Sequence, residues 1–346
     1  MTALFCHFSS LGIRRRLAGA ACLVGALLAV GGCGGKATDE QTGAEVRKQK
    51  LIVYHAASLA LPFGAIEKVM EERFPGLDVI CESSSSRIAI RKVTDLGRKG
   101  DIVASADEAL IRNIMMPDHA DWVGTFARNR VVIAYTDRSR YRDEINADNW
   151  YEILLRDDVN YGQADANNAP VGYRTWLTWK LADAYYADKL GDRDLFEELR
   201  ANCPPKNIRP HCNELIPLLE SLALDYTFQY RSVALQHHLS WLKLPDEIDL
   251  GSETQREFYA KVSVEIAGTA RGSITTKVGK PVLYGVTMIK DPQNPEMALE
   301  FLKILFSEEG QKILEENFQE PIVPVYCDNV QAAPEVLRQH LRPADF

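Results

Sequence analysis

Leu51-Ile52-Val53-Tyr54-His55-Ala56-Ala57-Ser58-Leu59 decides the fold. Its first five residues are β-formers, and the apolar positions Phe63, Ile66, Val69 and Met70 that follow recur at helical spacing, so a strand turns into a helix at Ala56-Ala57-Ser58. The unit then repeats. Leu77-Asp78-Val79-Ile80 makes a second strand, Ser83 to Ser86 lead into a helix through Ile88, Ile90, Val93 and Leu96, and Asp101 to Ser105 make a third strand. This βαβαβ order predicts an α/β lobe with a parallel sheet. Val131 to Tyr135 and Pro281 to Val286 are two further strands, far apart in sequence, and a helix follows from Pro295 through Ala298, Phe301, Leu302 and Leu305.

On the N-terminal side, Arg14, Arg15 and Arg16 precede the apolar run Leu17 to Val30, which ends in Gly31-Gly32-Cys33. A run of 14 residues is too short to cross a bilayer core of about 30 Å as a helix. The pattern predicts a lipoprotein signal peptide over 1–32, lipid attachment to the Cys33 thiol, and a polar tether over 33–50. The chain of 346 residues is 46% hydrophobic and 25% charged, which excludes disordered and polytopic membrane classes and leaves room for two domains. Its 40 Lys and Arg against 48 Asp and Glu give a charge of −8, and because the leader carries three Arg and no acid, the chain from Cys33 onward stands at −11. That balance argues against nucleic acid as a partner.

Four cysteines follow Cys33, namely Cys81, Cys203, Cys212 and Cys327. In an oxidising compartment an even number allows disulfides, and Cys203 with Cys212, closing a short loop around Pro204, Pro205 and Pro210, is the expected pair. No C-x-x-C is present, which leaves a zinc ribbon or redox motif unsupported, and without a G-x-S-x-G, H-E-x-x-H or Walker A pattern no enzyme is expected.

Chemistry is expected at Ala57-Ser58 and at Ser83 to Ser86, because both turns fall at the carboxyl ends of strands, where open α/β sheets bind ligands. A serine there either caps the next helix or, with the helix's free N–H groups, meets an anion. Two such turns on adjacent strands favour a shared anion site.

His55 to Leu59, the Ser-rich stretch Glu82 to Arg87, and Gly100 to Asp107 closely resemble the molybdate/tungstate-binding proteins of ABC importers, the ModA/WtpA family. Ile145 to Arg156, Pro170-Val171-Gly172-Tyr173-Arg174 and Arg231-Ser232-Val233-Ala234 resemble its WtpA branch, and the likeness runs from about Leu51 to about Phe318. The resemblance implies a type II periplasmic-binding-protein fold, with two α/β lobes and two crossing hinge strands. The lobes would be 51–134 plus 285–346 and 135–284, with Val131 to Thr136 and Val282 to Thr287 as the crossings. It also implies an exported, periplasmic or cell-surface lipoprotein, a monomer attached to the membrane through lipid only. It would carry molybdate or tungstate, use no cofactor, and serve an ABC permease with its ATPase subunits.

Carried over residue by residue, the resemblance places the oxyanion between Ser58 with the Ala57 backbone, Ser85 and Ser86 from one lobe, and Ala169, Pro170, Val171, Cys212 and Tyr230 from the other. The serines, Cys212, Tyr230 and the backbone N–H groups near Ala57 and Val171 are neutral donors, consistent with a dehydrated dianion held by oriented dipoles. The family's Asp before P-x-G-Y-R and its Glu after R-P-x are here Ala169 and Cys212, so bound metal would stay tetrahedral, with no direct protein ligand; Asp165 could substitute only under a different loop register. Arg87 and Arg174 are expected to brace loops or pair with acids, His237 and His238 to be core or surface residues, and Trp176 and Trp179 to pack. The alternatives are a receptor for sulfate or another tetrahedral anion, and a serine hydrolase, for which Ser58 and Ser86 have only His55 nearby along the chain.

Overall fold

The computed structural model describes residues 49–268 and 272–344. The expected leader, Cys33 and most of the expected tether lie outside the described residues. No helix among the described residues is long and apolar enough to cross a membrane.

The strands in chain order are β1 Gln49–Ala56, β2 Leu77–Ser84, β3 Ile102–Ser105, β4 Gly124–Asn129, β5 Val131–Tyr135, β6 Tyr161–Ala164 and β7 Ile208–Arg209. They continue with β8 Tyr226–Tyr230, β9 Ser240–Leu242, β10 Ser263–Ala267, β11 Ile274–Val278, β12 Val282–Met288, β13 Glu320–Cys327 and β14 Leu341–Pro343. One sheet runs β14-β13-β4-β12-β3-β1-β2 and a second runs β7-β6-β8-β5-β9, with β10 and β11 forming a separate hairpin. Each sheet with its helices is one α/β lobe.

The opening βαβαβ segment forms the parallel block β2-β1-β3, as its pattern predicts. The rest of the first sheet is mixed, because β12 enters antiparallel to β3 and to β4. β4 of the first sheet ends at Asn129 and β5, bonded along its whole length to β8 in the second sheet, begins at Val131; β11 of the hairpin ends at Val278 and β12, between β3 and β4 in the first sheet, begins at Val282.

Strands β3 and β12, and β1 from Leu51 onward, are almost wholly buried, which explains their continuous apolar runs. Trp179 packs edge-on to Tyr161 and Phe228, and Trp176 against Phe196, so both tryptophans belong to the core of the second lobe.

Candidate functional site

Five segments begin at one cavity. They are the short turn Ala57–Leu59 after β1, the helix Ser86–Thr94 after β2, the helix Pro170–Tyr185, the turn Cys212–Leu215 and the helix Arg231–Gln236 after β8. None of the five has a side-chain cap on its first N–H groups. Uncapped helix starts leave N–H groups and positive dipole ends aimed at whatever occupies the space between them.

The cavity is small, with free space of about 10 Å³ at its centre, little more than a single water-sized sphere. Ala57, Ser58, Ser85 and Ser86 line it from the first lobe, and Ala169, Pro170, Val171, Cys212 and Tyr230 from the second. All nine sequence-derived candidates are therefore neighbours. Ala56, Ala106 and His211, which the sequence reading does not single out for the site, complete the wall. A roomier depression on the first lobe is walled chiefly by apolar side chains such as Phe126, Leu305, Leu314 and Val325.

Gly172 seats the helix of the second lobe. A Cβ there would lie 2.5 Å from the Ala164 carbonyl oxygen and 2.6 Å from the Ala166 nitrogen, so only glycine lets Pro170 and Val171 come this close to the turn after β6.

The hydroxyl groups share one polarity. Tyr284 Oη donates to Ser58 Oγ at 2.9 Å, the Ala106 N–H donates to Ser86 Oγ at 3.0 Å, and Arg174 Nη1 donates to Tyr230 Oη at 2.6 Å. Each of these oxygens is already an acceptor, and among the described residues its own hydrogen has no acceptor. Ser85 Oγ is buried and has no hydrogen-bond partner among the described residues. The serine at this helix start is thus not an ordinary cap, and four hydroxyl hydrogens remain to be donated into the cavity.

Cys203 and Cys212 do not form the expected disulfide; both are free thiols, as are Cys81 and Cys327. Cys203 ends the helix Leu195–Asn202 with its Sγ 3.8 Å from the Tyr161 carbonyl, whereas Cys212 sits at the cavity beyond β7 with its Sγ 3.3 Å from Asn213 Oδ1. The extended strand between them keeps the thiols on separate partners. Burial pushes the Cys212 thiol up to about 12, so it is a neutral group at the cavity. Asp165 is used locally, accepting from Asn167 and Asn168, and is not in the cavity wall. No carboxylate lines the site. Arg87 binds the carbonyls of Ala267 and Gly268 at 2.5 and 2.8 Å, bracing the β10–β11 hairpin against the first lobe. Among the described residues no His, Cys, Asp and Glu cluster could hold a metal ion, and neither His237 nor His238 lines the cavity.

Two α/β lobes with a small cavity lined by helix starts from both define a solute receptor. The chain belongs to the bacterial extracellular solute-binding proteins, whose profile matches residues 51–318. That family consists of receptors and not of enzymes. An uncharacterized solute-binding protein of Petrotoga mobilis is 46% identical over 85% of this chain and 90% of its own length. The molybdate/tungstate-binding protein WtpA of Pyrococcus abyssi is 43% identical over 80% of this chain and 85% of its own. Among solved structures, the periplasmic molybdate-binding protein of Azotobacter vinelandii superposes with a TM-score of 0.52 at 15% identity, covering 78% of this chain and 98% of that one. The sulfate-binding protein SubI of Mycobacterium tuberculosis H37Rv gives 0.55 at 12%, covering 86% and 93%. These two likenesses establish the fold.

Proposed function

We propose that this protein is a lipid-anchored extracytoplasmic receptor that captures molybdate or tungstate between its lobes and delivers it, as a monomer, to an ABC permease with its ATPase subunits. The observation that carries this reading is the common polarity of Ser58, Ser85, Ser86 and Tyr230, which offer hydrogens and no carboxylate. A fully deprotonated tetrahedral oxyanion presents only acceptors and matches such a set. A protonated one, such as hydrogen phosphate, brings a hydroxyl hydrogen that needs a strong acceptor, and an unmet buried donor costs about 1–3 kcal/mol.

Attraction comes from short range. Each hydrogen bond to a charged group contributes about 1.5–3 kcal/mol, and the four hydroxyls together with uncapped N–H groups from both lobes supply enough of them to offset dehydration of a dianion. Because the donors lie on two lobes, ligand contact favours the closed arrangement, the form a permease would recognise. Likeness to WtpA at 43% identity supports molybdate and tungstate in particular.

Calorimetry on the chain starting at Gly34 tests the proposal with tungstate, molybdate, sulfate and phosphate. Tungstate and molybdate should bind far more tightly than sulfate, and phosphate should give no heat. Equal affinity for the first three, or tight phosphate binding, would overturn it.

A further inference from the structure

Behind Tyr230 lies a buried charged knot that spans the two lobes. Arg174, 1% exposed, donates through Nη1 both to Tyr230 Oη at 2.6 Å and to the Ala106 carbonyl of the first lobe. Its Nη2 lies 3.7 Å from Asp107 Oδ1. Asp107 also meets Lys277 at 3.1 Å, Lys280 at 3.0 Å and the Tyr173 hydroxyl at 2.6 Å, and Lys280 reaches Glu108 at 2.8 Å. Three cations thus face two carboxylates. Burial by itself would push the Asp107 carboxyl up, but Lys280, Lys277 and Arg174 hold it well below the usual range, so it stays charged. Burial pushes the Tyr230 phenol up to about 12, so it stays protonated.

Resting on the oxyanion reading above, we infer that Arg174 is a positioning residue for the ligand, which fills the acceptor side of Tyr230 Oη so that the phenol hydrogen points into the cavity as a charge-assisted donor. The surplus cation therefore acts on the bound anion through Tyr230 and not by contact. Arg174 is not in the cavity wall, whereas Tyr230 is. The arrangement also ties this donor to closure: Arg174 and Tyr230 belong to the second lobe, while Ala106 and Asp107, which fix the guanidinium, belong to the first. A chain whose part from Cys33 onward stands at −11 in this way presents positive charge to its ligand where the lobes meet. The polarised phenol is worth more than a neutral one because donors coupled to a charge strengthen one another in a low-dielectric interior.

A double-mutant cycle on the chain starting at Gly34 tests this, with tungstate as the probe. Arg174→Met should weaken binding about 10- to 100-fold, and in a Tyr230→Phe background the same change should cost no more than about threefold. Equal losses in the two backgrounds would overturn the inference, since a merely structural Arg174 would not depend on the Tyr230 hydroxyl. If Arg174→Met does not fold, as judged by its thermal transition, Arg174→Lys replaces it in the same cycle. Lysine keeps a charge but lacks the fork, so its loss should again depend on the Tyr230 hydroxyl, and independence would again overturn the idea. Failure of the unmodified chain to bind tungstate would instead overturn the proposed function, which separates the two claims.

Discussion

Tyr284 stands directly behind Ser58, its hydroxyl donating to Ser58 Oγ at 2.9 Å while accepting from Asn129 Nδ2 at 3.3 Å. Both residues are buried in the first lobe, and Gln319 adds a bond to the Ser58 carbonyl at 3.0 Å. The chain Asn129 to Tyr284 to Ser58 has one direction and leaves the serine hydrogen facing the cavity.

Tyr284→Phe removes that direction without emptying the space. A net hydrogen bond is worth about 1 kcal/mol, so tungstate affinity should fall about fivefold, with a modest loss of thermal stability. Titration calorimetry checks the affinity; an unchanged value would mean that Ser58 needs no partner to aim its hydrogen.

Absence of carboxylates sets the coordination. With alanine at 169 and a neutral thiol at Cys212, the cavity offers no carboxylate oxygen to add to the metal, so bound tungstate or molybdate should keep four oxygen neighbours. X-ray absorption at the metal edge reads this number, and six neighbours would refute it.

His55 makes stability depend on pH. Burial lowers its imidazole from 6.5 to about 4 in the folded chain, so between those values the unfolded chain binds more protons and folding weakens as the pH falls, by up to about 3 kcal/mol. Asp183 and Asp249, whose carboxyls burial pushes up to about 6, act in the opposite sense over part of that window. The histidine contribution is therefore read as a difference. Urea unfolding of the original chain and of His55→Phe, each at pH 7 and pH 4.5, should show a smaller acid-side loss in the variant, and identical losses would exclude His55 as the source.

Free thiols give a simple count. Cys81, Cys203, Cys212 and Cys327 are unpaired, so the chain starting at Gly34 should yield four reactive thiols in denaturant without reductant. Two would restore the Cys203–Cys212 bridge. In the folded state Cys212 should resist alkylation, because it is buried and its thiol is pushed up to about 12.

The local sequence determined the strand-to-helix turns at Ala57-Ser58 and Ser83 to Ser86, since alternating strand and helix patterns place such turns at one edge of a sheet whatever the rest of the chain does. Resemblance over several ordered stretches extended this to Ala169, Pro170, Val171, Cys212 and Tyr230, and all of them reach the same cavity. What these hydroxyls do with their hydrogens was not legible. It depends on Tyr284, Arg174 and Ala106, which lie between about 20 and 226 positions away from the oxygens they serve, and hydrogen-bond direction is a property of the assembled site. His211 gave only one signal, its place beside Cys212, and Gln319 gave none. The lone cysteines looked like a pair because they are close along the chain, but an extended strand keeps them apart. Charge shows the same division. The sequence alone gave a net acidity that seemed unsuited to an anion, while the fold gathers Arg174, Lys277 and Lys280 around two carboxylates at the lobe boundary. Composition adds charges without regard to place, and only tertiary packing decides which of them a buried ligand feels.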